Sequence, residues 1–311
     1  MTDTADTTAT DRAAVLRGAL LIALAAALWA TTGIAAKFLF NSTDLHPLTL
    51  ALMRLTIAFP CFFTLMLWER RQLRGRSTRI TGRVLLALLA LGLFQAAYQG
   101  SYLLAVQLTG AGIATLIALC VAPVLVALMA APLLGERPGL VTWLALAAAV
   151  LGTVLLVAGD IETSGEVRVA GIAVALVAAL VYAGFTLTSR HAAAGAPVFM
   201  TAFVCFTMGA VTLVPVVAWL EGFSQLAALG IRDWALVVYI GLVPTCAGYL
   251  CFFAGMKTTP ATTSSIIVTL EPLFVAALAW ALLGEELGAT GVTGAVILTV
   301  AVVVASRRAR G

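Results

Sequence analysis

The sequence predicts an all-α polytopic membrane protein, with ten transmembrane helices forming two inverted five-helix repeats around a central cavity and both termini in the cytoplasm. Three observations carry this expectation. Of 311 residues, 62% are hydrophobic and 10% charged, at a mean hydropathy of +1.08, whereas a soluble protein carries about 25% charged residues. At roughly 20 residues per span, the chain has room for ten helices and their connectors. The second half of the chain also repeats the first at an offset of about 150 residues. The composition excludes a soluble enzyme, a secreted disulfide scaffold and a disordered chain.

The elements follow in order. Residues 1–15 are rich in Thr and Asp and are expected to form a disordered cytoplasmic tail. Asp3, Asp6 and Asp11 stand where a secretory leader would be basic, so the first apolar run is expected to be a retained helix. Apolar runs between charged or Gly/Pro-containing connectors then place helices over 16–36, 47–67, 84–105, 111–134, 139–158, 169–189, 198–219, 233–254, 262–283 and 288–305. Glu136 precedes Pro138 and helix 5, and Glu285 and Glu286 precede helix 10, where a carboxylate suits the helix dipole. Thr258-Thr259-Pro260 opens helix 9 with a proline in the first turn and reads as ordinary capping. Gly288, Gly291 and Gly294 give helix 10 a small-residue face for close packing, within the chain or with a second protomer. A basic cytoplasmic tail, 306–311, ends the chain.

Charge fixes the expected orientation. The connector from Glu69 to Arg83 carries Arg70, Arg71, Arg74, Arg76, Arg79 and Arg83. With that connector inside, fourteen basic residues fall on the cytoplasmic side and three (Lys37, Arg168 and Arg232) outside, with Arg54 left inside a span. This is the positive-inside asymmetry, and miscounting one helix would scramble it. It accounts for the net charge of +4 better than a nucleic-acid patch does, so no nucleic-acid partner is expected. Trp68, Trp143, Trp219, Trp234 and Trp280 fall near helix ends, at headgroup level; Trp29 is mid-helix. The five cysteines and two histidines form no CxxC or metal-ligand cluster, so neither a metal nor a disulfide is indicated, and the cysteines read as small buried apolar residues.

The repeat joins residues 16–158 to 169–305. PVLVALMAAPLLGE at 123–136 matches PLFVAALAWALLGE at 272–285, and AALWATTGIAAK pairs with AALVYAGFTLTSR, aligning Trp29 with Tyr182 and Lys37 with Arg190. Five spans per half make the second half enter the membrane from the opposite side. Such inverted repeats build alternating-access carriers with a site near the midplane.

With these features in place (ten spans, five-plus-five inversion, Arg54 early in LALMRLTIAF, and a Pro-bearing helix ending LLGE in each half), the chain resembles the EamA branch of the drug/metabolite transporter superfamily. AGMKTTPATTSSIIVTLEPLFVAALAWALLGEE is the most specific stretch, and the resemblance covers residues 16–305. It implies a ten-helix carrier around a central cavity, exporting amino acids, other small metabolites or drugs. It does not specify the cargo.

Polar residues inside the spans are the expected site. Glu271 lies nine residues into helix 9, about 13–14 Å at about 1.5 Å per residue. That is near the middle of a core about 30 Å thick. An ionisable group there costs roughly 2.5–3.5 kcal/mol and is a functional-site expectation. It suits proton coupling or binding of an amine; the alternative is a protonated carboxyl bonded near the Pro272 kink. Arg54 has three readings: an ion pair with Glu271, a ligand for a substrate carboxylate, or snorkelling to the interface. Gln95, Tyr98, Gln99 and Tyr102 share one face of helix 3 and line a cavity or bond a neighbouring helix. Trp29 and Tyr182 are candidate aromatic walls, with Tyr249 and Ser265 as further cavity residues; Pro123 and Pro272 are expected helix kinks.

No GxxxxGK[ST], HExxH or GxSxG is present. The expectation is therefore a secondary active exporter in the cell membrane, not an enzyme, needing no cofactor. Its partners are lipid and a small-molecule substrate, amino acids foremost, with Glu271 the candidate for the coupling proton or for binding the amine. A passive channel, or a multidrug exporter of the same fold, is the alternative. A monomer or homodimer fits equally well.

Overall fold

The computed structural model describes residues 3–73, 81–109, 111–157, 169–220, 222–283 and 288–308. The regular elements among them are helical. The first half comprises α1 (Asp3–Ser42), α2 (Pro47–Gln72), α3 (Gly82–Thr109), α4 (Ala111–Leu134) and α5 (Leu140–Val157). The second comprises α6 (Val169–Gly195), α7 (Val198–Trp219), α8 (Ile231–Ile240), a π-helical turn Gly241–Ala247, α9 (Gly248–Gly255), α10 (Ala261–Val268), α11 (Glu271–Leu283) and α12 (Ala289–Arg308). Among the described residues nine stretches are long and apolar enough to cross a membrane, and Leu140–Leu156 is a shorter apolar helix. These coincide with the ten expected spans.

Three local features differ from the expectation. Helix α1 begins at Asp3, so the segment expected as a disordered tail is helical from there, and its apolar part starts at Ala13. Alanines and early aspartates, which complement the helix dipole, allow the first span to continue backwards. The eighth span is interrupted by the π-helical turn. Pro244 has no N–H to give the carbonyl of Ile240, so the backbone bonds shift to the i−5 pattern of a π-helix, and the Thr245 hydroxyl also donates to that oxygen, at 2.7 Å. The ninth span is broken at Thr269–Leu270, ahead of Pro272. There the Thr269 and Leu270 amides donate to Ile266 and Ile267 at i−3, and the Thr269 hydroxyl also donates to Ile266 O. Helix α4, by contrast, runs unbroken through Pro123 and Pro132.

The packing is symmetric between the halves. Helix α6 lies against α3 and α4, and its counterpart α1 lies against α8–α9 and α10–α11. Helices α2 and α7 pack on each other, as do α5 and α12. That last crossing is made by two glycines: a Cβ on Gly152 would stand 2.8 Å from Gly294 O, and one on Gly294 2.6 Å from Gly152 O. The expected small-residue face of α12 is thus used within the chain at Gly294. Large apolar side chains such as Leu86, Leu140 and Val300 cover the outside, which is the surface a lipid-facing bundle needs.

Segments 74–80, 158–168 and 284–287 lie outside the described residues. With them go Arg74, Arg76, Arg79 and Arg168, and also Gly284, Glu285 and Glu286, which hold the end of the second LLGE copy. The side chain of Lys37 lies outside as well.

Candidate functional site

A cavity of about 480 Å³ lies inside the bundle. Helix α1 contributes Trp29 and Phe40, α2 Arg54, α3 Tyr98, Gln99 and Tyr102, α6 Tyr182, α9 Tyr249 and α11 Glu271. The lining runs from mid-bundle to Phe40 and Pro47, at the end carrying the α1–α2 connector. The size is that of a small-molecule site.

Eight of the ten expected cavity residues meet here: Trp29, Arg54, Tyr98, Gln99, Tyr102, Tyr182, Tyr249 and Glu271. The other two do not. Gln95 sits behind the wall, 2% exposed, its side-chain amide donating to Tyr249 Oη at 3.0 Å. It is one turn deeper along α3 than Gln99, which places it under the tyrosine rather than beside the cavity. Ser265 is buried in α10, where its hydroxyl donates to Thr262 O at 2.8 Å. That bond is a local helix contact rather than a cavity function.

Arg54 and Glu271 come from opposite halves and face the same space. They do not form an ion pair: no nitrogen–oxygen distance between them is 4.0 Å or less. The Nε of Arg54 is buried and has no hydrogen-bond partner. Glu271 is the first residue of α11, directly after the break, where a half-helix N-terminus favours its negative charge.

Aromatic rings fix the walls. Tyr98 stacks with Tyr102 at 5.7 Å and meets Tyr182 at 5.2 Å, so the repeat-related α6 position closes the face begun by α3. Trp29 packs on Tyr249 at 4.8 Å and on Phe252 at 5.4 Å. Beneath Tyr249, toward the end of the bundle that carries both termini, Phe185, Phe206, Phe252 and Phe253 form a floor, each no more than 2% exposed. The sequence gives no helical-face signal for this floor, because its members come from three helices and read as ordinary core phenylalanines.

Below the floor lies a polar closure. Arg190, at the end of α6, places Nε 3.2 Å from Glu136 Oε1 and donates from Nη1 to Met256 O (2.6 Å) and Lys257 O (2.9 Å). The Glu136 oxygens also accept from the Ala261 amide at 2.9 and 3.2 Å, capping α10. Glu136 was expected to serve the nearby start of helix 5; it serves a helix of the other half instead. Gly135, with φ +72°, ends α4 and turns the chain so that Glu136 leaves the helix axis.

Among the described residues, nine membrane-length apolar helices and a shorter tenth, in two repeats around a largely apolar cavity that holds a few polar side chains, define a multi-pass membrane transporter. The chain belongs to the EamA-like transporter family, which matches it twice, over residues 16–158 and 169–307. It is 30% identical to the uncharacterized transporter YwfM of Bacillus subtilis (strain 168), over 94% of each chain. It is 28% identical to an uncharacterized transporter of Archaeoglobus fulgidus, over 74% of this chain and 79% of the other. A crystal structure covering 94% of this chain and 97% of its own superposes with a TM-score of 0.76 at 21% identity, which shows a shared fold.

Proposed function

We propose that the chain is a secondary carrier that exports small polar metabolites, amino acids foremost, across the cell membrane by alternating access. The observation that supports this best is the meeting of one guanidinium and one carboxylate, unpaired with each other, on the wall of a single cavity. Two opposite charges left apart inside a membrane suit a zwitterion that bridges them. Arg54 meets the carboxylate; its Nε–H is buried without a hydrogen-bond partner in the protein. Glu271 meets the amine or holds the coupling proton, and Gln99 with Tyr98, Tyr102 and Tyr182 contact the remainder.

Both termini are placed in the cytoplasm. Arg17, Arg70, Arg71, Arg83, Arg137, Arg190, Lys257 and Arg307 then share the inner end with them, as the positive-inside rule asks. The cavity in this reading faces outward, shut from the cytoplasm by the phenylalanine floor and the Arg190–Glu136 closure. A closed end favours a carrier over an open channel. One chain completes the cavity, so a monomer suffices.

The test is counterflow in proteoliposomes across an amino-acid panel. Saturable uptake accelerated by substrate on the trans side, and lost in Arg54→Gln, supports the carrier. Flux that neither saturates nor shows trans-acceleration overturns it.

A further inference from the structure

We infer that Cys61 and Cys246 form an oxidisable thiol pair whose cross-linking ties the two halves together and arrests transport. The sulfurs stand 3.0 Å apart, Cys61 on α2 in the first half and Cys246 in the π-helical turn of the second. Both are free thiols, and Cys246 is 3% exposed. A disulfide needs about 2.05 Å, so the sulfurs must approach by about 1 Å to complete the bond.

The pair lies on an intimate seam. Arg54, Ile57 and Cys61 are spaced i, i+3 and i+7 and so share one face of α2. A Cβ on Gly241, at the start of the π turn, would come 2.6 Å from Ile57 Cγ2 and 3.4 Å from Arg54 O. The π turn therefore lies along the helix that carries Arg54 and leads directly into the helix that carries Tyr249. A covalent bond here joins two cavity walls that belong to different repeats.

The surroundings select the oxidant. An apolar seam admits water-borne reagents poorly, so the oxidant is a lipid-soluble hydroperoxide, and burial away from a base makes the thiol's attack slow. The Cys61 sulfur, the more exposed of the two, attacks the distal peroxide oxygen, forming a sulfenic acid and releasing an alcohol. The Cys246 sulfur then attacks that sulfur and releases water. The balance is two thiols and one hydroperoxide giving one disulfide, one alcohol and one water. Nothing comparable is available to Cys120, Cys205 or Cys251, none of which has a second sulfur as a bonded partner.

The arrest of transport rests on the carrier reading; the cross-link does not, so the test reads them separately. Full-length protein in nanodiscs is treated with cumene hydroperoxide, then its intact mass and cross-linked peptides are measured. The expected result is a loss of about 2 Da mapped to Cys61–Cys246, reversed by dithiothreitol and absent in Cys61→Ser and in Cys246→Ser. In proteoliposomes, counterflow by the oxidised wild type is expected to fall about tenfold or more, recover on reduction, and be insensitive to oxidant in Cys61→Ser. No mass loss, or one that persists in Cys61→Ser, overturns the thiol pair. A formed cross-link with unchanged counterflow overturns the arrest. Activity of the untreated wild type reports on the carrier reading independently.

Discussion

Arg190 and Glu136 meet at 3.2 Å across the seam between the two halves, and the same carboxylate caps the first turn of α10. The two roles separate by substitution. Glu136→Gln keeps an acceptor for the Ala261 amide and loses the charge, at a cost of about 1 kcal/mol for a partly buried pair. Glu136→Ala removes both and costs about 2–3 kcal/mol. Thermal unfolding in detergent reads the difference; equal losses would show that the carboxylate does only one of these jobs.

The charges on the cavity wall carry a second prediction. Removing a charged hydrogen bond costs about 1.5–3 kcal/mol, or roughly 10- to 100-fold in affinity. Arg54→Gln is expected to raise KM for a carboxylate-bearing substrate by that factor and to leave unfolding temperature nearly unchanged, since among the described residues Arg54 has no ion-pair partner within 4.0 Å. A lowered unfolding temperature with unaltered KM would make Arg54 structural.

Glu271 is tested by pH. If it carries the coupling proton, an imposed inward proton gradient drives export by the wild type, whereas Glu271→Gln transports at a rate independent of that gradient. Transport measured in vesicles with a set internal pH decides this. A variant that keeps full gradient dependence would remove Glu271 from the coupling role and leave it as an amine ligand.

One hydroxyl reinforces the π-helical turn. Thr245→Val removes the 2.7 Å hydroxyl bond to the Ile240 carbonyl while the i−5 backbone bond of the turn remains, and is expected to cost about 0.5–1.5 kcal/mol. Thr245→Ser restores the donor and recovers most of the loss. Because the turn sets the register of Tyr249, Val at this position is also expected to raise KM, and a purely thermal effect would argue against that link.

Close helix crossing predicts a sharp contrast among glycines. Gly152→Leu or Gly294→Leu drives a side chain into backbone and is expected to destabilise by about 1–3 kcal/mol or more. Gly288→Ala, with nothing within 4 Å of the added carbon, is expected to change stability by no more than about 0.5 kcal/mol. Unfolding curves of the three variants check the ordering.

The span count and the two-repeat plan were legible because hydropathy, basic connectors and the repeated LLGE ending are properties of one chain read locally. Most of the cavity was legible for a related reason: in lipid, a polar residue at mid-span must turn inward, and Arg54, Gln99, Tyr102 and Glu271 do. Periodicity gives a face and not a depth or partner, which is why Gln95 and Ser265 were grouped with residues they do not join. Pro244 and Pro272 sit in similar apolar runs, yet one is absorbed by a π-helical turn and the other breaks the helix. That outcome depends on which donor reaches the freed carbonyl. The Glu136 cap on α10 was invisible for a plainer reason: its two ends are 125 residues apart.

The glycine crossing of α5 and α12 lies away from the cavity, and neither helix supplies a lining residue. It acts as a clasp between the last helices of two otherwise exchangeable units. Cargo preference can therefore drift through α1–α4 and α6–α11 while the clasp is left intact. Two separately translated polypeptides, each ending in its own clasp helix, have the means to find one another again.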